Sequence, residues 1–247
     1  MSYTEEVAGT EQQARSGVAI VLPLHVVKGH LLVDVGGSVA LVDTGSPVSF
    51  SQGGPLRVGG LEYACRVGQG VGFGEGASLL EYLARWLELP RLDFLVGMDV
   101  LGEYRVTVDI PGQRLLLEGT AGEHGTPIRL LSTPFGDAYP HVDVEIGGET
   151  RSALFDTGAW LAYVPADTVQ GLAAADTEHD FLPGFGEFST PVYRLKVGVP
   201  GCGEHEIDAG VLPSGPFSFI LSTELLRDRA VEFDFPARRL RWPALAA

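Results

Sequence analysis

Two short triplets carry residue types that can do chemistry. Asp43-Thr44-Gly45 and Asp156-Thr157-Gly158 each follow an apolar strand, ALVDTGS over Ala40–Ser46 and ALFDTGA over Ala153–Ala159. One such triplet should arise by chance on the order of 0.05 times in a chain of this length, from average residue usage. Two in matching surroundings are rarer still. An Asp that begins Asp-Thr-Gly caps a turn well, but a turn alone does not account for the matched pair. Two carboxylates brought within a few ångströms cannot both ionise, so they share one proton over a wide pH range. Such a pair performs general acid and base work: the ionised member takes a proton from water while the protonated member polarises a carbonyl.

Presenting two carboxylates to one another calls for two copies of one strand arrangement, and the chain is doubled. Leu31–Ser46 (LLVDVGGSVALVDTGS) and Val142–Ala159 (VDVEIGGETRSALFDTGA) both run strand, Gly-Gly turn, strand, triplet. Gly-Gly between strands signals a tight hairpin, because that turn needs positive φ. A second pair lies 125 positions apart: Leu95–Leu117 and Ile220–Trp242 share Leu101, Val106, Asp109, Pro111, Arg114 and Leu115 with Leu226, Val231, Asp234, Pro236, Arg239 and Leu240. The expected organisation is a flexible segment 1–16, a first half 17–118, a linker 119–126 and a second half 127–247. Strands are expected over Val18–Val27, His30–Val35, Tyr193–Val199 and Glu204–Val211. A helix is expected over Ala77–Leu89, with Leu79, Leu80, Leu83, Trp86 and Leu87 on one face and Pro90 ending it. A shorter one is expected over Ala166–Ala175, after Pro165.

The triplets in this setting resemble the aspartic proteases of the pepsin and retropepsin type. The later motifs Leu95-Val96-Gly97 and Ile220-Leu221-Ser222 strengthen the resemblance, since each lobe of that family ends with such a motif, a short helix and a strand. The resemblance implies a mainly all-β, bilobal acid-protease fold with pseudo-two-fold symmetry and a few short helices. It implies Asp43 and Asp156 as the catalytic dyad, in a monomer that supplies both lobes itself, without metal or cofactor. Thr44 and Thr157 would bond across the interface, and Gly45 and Gly158 would let the backbone turn beneath the carboxylates. Ser46 would donate to Asp43 and make it the more acidic member, which Ala159 cannot do for Asp156. The family covers its cleft with a hairpin flap. In the second half the candidate is Asp180–Pro191, with Phe181, Gly184, Phe185, Gly186 and Phe188 at the flap or touching substrate.

The first half leaves two alignments open. Asp43 to Gly97 spans 54 positions against 66 from Asp156 to Ser222. In one alignment Val67–Gly76, with its alternating glycines, is a first flap. In the other, Leu56–Val67 matches the hairpin Leu195–Val211, the first flap is missing, and the Gly-rich run and the helix are an insertion. That run is neither GxGxxG nor a P-loop. Trp160 and Tyr163 are either core or cleft wall, and His179 before the flap is a candidate for tuning the pH response.

Composition narrows the classes further. The net charge of −15 argues against nucleic acid or an anionic membrane surface, both of which demand a basic patch. No stretch reaches 18 uninterrupted apolar residues, and no secretory signal is evident, so the expected compartment is the cytoplasm. Cys65 and Cys202 are then expected as free thiols. The six histidines show no ligand spacing. Three functions follow from the dyad. The first is a peptidase of narrow specificity acting on a peptide. The second is a non-proteolytic acid–base enzyme (cyclase, isomerase or dehydratase) on a small molecule. The third is a binding module with a silent dyad.

Overall fold

The structure is a computed structural model that describes residues 19–67, 78–119, 124–133, 136–182, 186–212 and 219–243. Segment 1–16, the glycines from Gly68 to Gly76, half of the linker (120–123), and Gly184 and Phe185 lie outside the described residues. The described chain is mainly β-sheet with two short α-helices.

In the first half, β1 (Ile20–Val27) and β2 (His30–Val35) form a hairpin, and β3 (Ser38–Val42) returns along β2. The Gly36-Gly37 turn between β2 and β3 has φ of 62° and 87°, the positive pair a two-residue hairpin loop requires. Then come β4 (Phe50–Ser51), β5 (Leu56–Val58), β6 (Leu61–Tyr63), β7 (Arg66–Val67), α1 (Leu79–Trp86), β8 (Phe94–Val96), α2 (Met98–Leu101), β9 (Arg105–Asp109) and β10 (Arg114–Glu118). Strand β8 slots between β3, to which it is parallel, and β4, to which it is antiparallel.

The second half repeats the plan. It runs β11 (Thr126–Pro127), β12 (Arg129–Thr133), β13 (Gly136–Ile146), β14 (Glu149–Phe155), β15 (Ala162–Val164), β16 (Asp176–Leu182), β17 (Gly186–Val199), β18 (Gly203–Val211), β19 (Ile220–Leu221), β20 (Ala230–Asp234) and β21 (Arg239–Arg241). Gly147-Gly148 turns β13 into β14 with φ of 60° and 81°. Strand β19 slots between β14 (parallel) and β15 (antiparallel), as β8 does in the first half. In both halves the slot holds the chain just before the triplet.

The halves meet edge to edge. Strands β9 and β20 pair antiparallel, with Asp109 opposite Ala230, Thr107 opposite Glu232 and Arg105 opposite Asp234. Shifting each residue to its repeat partner returns the same set of pairs, so the contact is self-complementary, as in a two-fold dimer. The recurring Asp109 and Asp234 also have the same job: each carboxylate accepts an N–H of its own turn, from Gly112 at 2.9 Å and from Ala237 at 3.1 Å. Gln113 and Arg238 take the matching left-handed position, with φ of 53° and 55°. Beneath this sheet Phe155, at the end of β14, meets Phe233 of β20 edge-on at 4.9 Å, tying the second triplet's strand to the joining sheet.

Helix α1 starts on a capping box: Ser78 Oγ accepts the Glu81 N–H at 3.1 Å and Glu81 accepts the Ser78 N–H at 3.0 Å. Its Leu79, Leu80 and Leu83 pack on Leu32, Leu41 and Leu95 of β2, β3 and β8. The helix ends before the expected Leu89. Glu88 turns left-handed (φ 57°), and the Glu88 and Leu89 N–H groups close onto Arg85 O and Ala84 O. The second expected helix is corrected to one 3₁₀ turn, Ala166–Val169, because Gln170 leaves helical geometry (ψ 124°) and Gly171 follows at φ 83°. Strand β7 runs parallel to β4 (Phe50 opposite Arg66) as β18 runs parallel to β15 (Ala162 opposite Ala209). Leu56–Val67 thus occupies the place of the β17–β18 hairpin, as the second alignment has it. Among the described residues no strand pair between β4 and β5 matches the β16–β17 hairpin, and α1 falls between β7 and β8.

Candidate active site

Asp43 leaves β3 with its N–H on Val96 O at 3.0 Å, and Asp156 leaves β14 with its N–H on Leu221 O at 2.9 Å. Each triplet is thereby anchored to the strand slotted beside it. Two residues on, the Gly45 N–H donates to Asp43 Oδ1 at 2.9 Å and the Gly158 N–H to Asp156 Oδ1 at 2.8 Å. The two carboxyls come within hydrogen-bond reach of one another. Each also packs on the other half's glycine. A Cβ at Gly158 would sit 2.5 Å from Asp43 Cγ, and one at Gly45 would sit 2.5 Å from Asp156 Oδ1. Glycine is required there by crowding, since neither residue has positive φ.

Below the carboxyls the threonines lock the halves together. The Thr44 N–H donates to Thr157 Oγ1 and the Thr157 N–H to Thr44 Oγ1, both at 3.0 Å. The hydroxyls reach on: Thr44 donates to Phe155 O at 2.6 Å and Thr157 to Val42 O at 2.9 Å. Each hydroxyl therefore both accepts from and donates to the backbone of the other half. Thr44 is 1% and Thr157 0% exposed, so water does not compete for these bonds.

Burial pushes both Asp43 and Asp156 above the ordinary carboxylate range. At Asp43 the facing Asp156 charge and the bond between the carboxyls add to it, while backbone N–H donors from Gly45 and Ser46 oppose it. At Asp156 the Gly158 N–H is the main opposing influence. The expected role of Ser46 is corrected: its hydroxyl donates to Val48 O at 2.8 Å and not to Asp43, because it spans its own Pro47 turn. The reason for ranking Asp43 as the more acidic member is thus removed. Ala159 acts through its backbone oxygen, which accepts the Thr223 N–H at 3.0 Å and the Thr223 hydroxyl at 3.2 Å. In the first half Ser46 O accepts the Met98 N–H in the same way. Ser222 replaces Gly97, where a Cβ would meet Val48 O at 2.6 Å, and its buried hydroxyl accepts the Glu224 N–H at 3.3 Å.

The flap candidate is the β16–β17 hairpin, with Leu182 opposite Gly186 and Phe181 opposite Glu187. Gly186 takes positive φ (101°) where β17 begins. Phe181 lies against α1 of the first half, 4.3 Å from the Tyr82 ring and 6.5 Å from Trp86. Tyr82 also donates to Glu187 at 2.6 Å. Phe188 packs 6.1 Å from Tyr163. The hairpin is held from below as well, since the buried Tyr163 hydroxyl donates to Asp180 at the start of the flap segment. Burial, and that carboxylate after it, raise the Tyr163 pKa. Tyr163 is therefore core, while Trp160 borders an open cavity. His179 bridges Glu187 at 3.2 Å and Ser189 at 3.3 Å.

Sequence reasoning missed Tyr82, Glu187, Asp180 and Thr223. Asp180 and Glu187 had a local signal, their place in the Gly-Phe-Gly hairpin Asp180–Pro191. The others matter through partners far along the chain. Cys65 and Cys202 are free thiols. No described helix is long and apolar enough to cross a membrane.

No family model matches this chain, and no curated protein matches it in sequence. Among solved structures the chain is similar to the solution structure of Simian Foamy Virus (mac) protease, at 23% identity and a TM-score of 0.29, over 35% of this chain and 90% of that one. That likeness is distant and partial, and the site stands on the side chains described above.

Proposed function

We propose that this chain is an aspartic-type peptidase whose two lobes, 17–118 and 127–247, each supply one carboxylate. The observation that carries the reading is the reciprocal packing at the triplets: each carboxyl lies against the other half's glycine and within hydrogen-bond reach of the other carboxyl. In this reading the dyad holds one proton. The ionised member takes a proton from a water between the two, the protonated member polarises the scissile carbonyl, and attack gives a tetrahedral diol. The dyad then passes a proton to the leaving amine. The threonine lattice keeps the carboxyls from separating as charge redistributes, which is preorganisation of the electrostatic kind. The β16–β17 hairpin covers the cleft and excludes water.

A second reading keeps the same dyad but a small-molecule substrate. Its support is the contact of Tyr82 with Phe181 and Glu187, which joins the flap's edge to the first half and shortens a groove on that side. Digestion of an unbiased peptide mixture from about pH 3 to pH 8, read by mass spectrometry, tests the peptidase. Cleavage lost in both Asp43→Asn and Asp156→Asn is the expected result. Folded wild-type protein that cuts nothing at any pH would sink a general peptidase and leave either one confined to a single dedicated peptide or the second reading.

A further inference from the structure

Next to the second triplet lies a cavity of about 440 Å³, lined by Lys28, His30, Trp86, Trp160, His179 and Arg227 around Gly29. Its walls come from both halves: the β1–β2 turn, α1, the chain after Asp156, the flap strand β16 and the end of the turn after β19. The link to the second triplet runs through the backbone. The Thr223 hydroxyl donates to Gly29 O and has Ala159 O at 3.2 Å, the Thr223 N–H donates to Ala159 O at 3.0 Å, and Gly29 lies so close to Trp160 that a Cβ there would meet Trp160 Cβ at 2.7 Å. Trp86 and His179 lie 5.5 Å apart and close the side beneath the flap.

The chemistry of this lining is unlike the rest of the molecule. In a chain of net charge −15 it contains two fixed cations and two imidazoles, and no carboxylate. Carboxylates do approach the same groups from behind. Lys28 pairs with Glu88 at 2.7 Å, and His179 with Glu187 at 3.2 Å. Asp180 faces His30, whose pKa burial nonetheless lowers, so His30 is uncharged near neutral pH. Arg227 is the least committed: its one ion-pair partner among the described residues, Glu224 Oε1, stands 3.8 Å away, while Glu224 Oε2 accepts the Asp208 N–H at 3.0 Å. A guanidinium with open donors takes a carboxylate in a two-point fork, and two tryptophans wall the carbon chain behind it.

We propose that this cavity is the anchoring subsite for a carboxylate on the substrate, with Arg227 as its specificity-determining residue. This rests on the peptidase reading and names its substrate class: peptides with an anionic group at a set distance from the scissile bond. The anion is either the C-terminal carboxylate or an Asp or Glu side chain.

Three peptides of one sequence separate the sources: a free C-terminal acid, its amide, and the amide with an internal Gln→Glu change. Their affinities for the full chain carrying Asp43→Asn, which prevents turnover, are read by calorimetry. At least one acid form is expected to bind about tenfold tighter than the neutral amide, a difference of about 1.4 kcal/mol. Arg227→Gln, at a side chain 72% exposed and so tolerant of change, is expected to erase that preference. Equal binding of all three peptides, or a preference that survives Arg227→Gln, overturns the proposal. Cleavage of the same peptides by the wild-type chain is scored separately. Arg227-dependent binding without cleavage sinks the peptidase but leaves the subsite, whereas cleavage indifferent to the carboxylate sinks the subsite alone.

Discussion

Thr157→Val is the sharpest probe of how the two halves hold the dyad. The substitution keeps shape and removes one hydroxyl. That hydroxyl accepts the Thr44 N–H at 3.0 Å and donates to Val42 O at 2.9 Å, and Thr157 is fully buried. Both backbone groups are left without partners in a place water does not reach. A buried group orphaned in this way costs about 1–3 kcal/mol, so the expected loss is roughly 2–6 kcal/mol. For a domain whose whole stability is typically about 5–15 kcal/mol, that is a large fraction. Thr157→Ser keeps the hydroxyl and removes a methyl, worth about 0.8 kcal/mol. Urea unfolding of the three proteins, followed by fluorescence, gives midpoints and slopes. The expected order is wild type, then Ser close behind, then Val far below. A Thr157→Val protein within about 0.5 kcal/mol of wild type, or a Ser variant as damaged as the Val variant, refutes the view that these bonds join the halves.

On the peptidase reading, Gly158→Ala should fold but abolish the cleavage seen for the wild type, because its Cβ would lie 2.5 Å from Asp43 Cγ and part the carboxyls; cleavage that survives Gly158→Ala would contradict the packing. Because burial raises both dyad carboxyls, the folded chain binds more protons than the unfolded one through the acid-to-neutral range. Their contribution to stability is complete below the ordinary carboxylate pKa and is lost as pH rises through the raised values. Asp43→Asn should therefore gain in melting temperature relative to wild type as pH increases, and a pH-independent difference would count against a shared proton. His141 works in the opposite sense. Burial and the nearby Arg129 hold its pKa at about 4, so its contribution is present above the ordinary histidine value of 6.5 and is lost as pH falls towards about 4. His141→Gln should flatten that acid loss in melting curves. Tyr82→Phe removes the bond to Glu187 but leaves the ring on Phe181. It should speed amide hydrogen exchange in β16 and the start of β17 with little change in global stability; unchanged exchange there would mean the contact does not restrain the hairpin.

Much of this architecture could be read from local signals. Gly36-Gly37 and Gly147-Gly148 declare two-residue turns because few other residues adopt two successive positive φ values. The repeated Asp109 and Asp234 mark turns that their own carboxylates cap. The matched triplets announced a carboxylate pair before any fold was known, since only a doubled chain has reason to carry both. Local signals were weaker at element ends. Helix α1 stops at a left-handed Glu88, a conformation glycine usually advertises and glutamate does not. The Ala166–Ala175 pattern, helical by composition, was cut to one turn where Gly171 needed positive φ.

What only the tertiary structure decided depends on partners remote in sequence. The Ser46 hydroxyl had two acceptors within a few residues, and the path of the Pro47 turn chose Val48 O over Asp43. Tyr82 and Glu187 lie 105 positions apart, and neither residue type hints at the other. The cavity beside Trp160 exists because five separate segments converge there, so no window of sequence contains its charge. Backbone turns and strand periodicity are written into neighbouring residues by sterics. The setting of a side chain, and with it the raised pKa of Asp43 and Asp156, is set by what the folded chain places opposite.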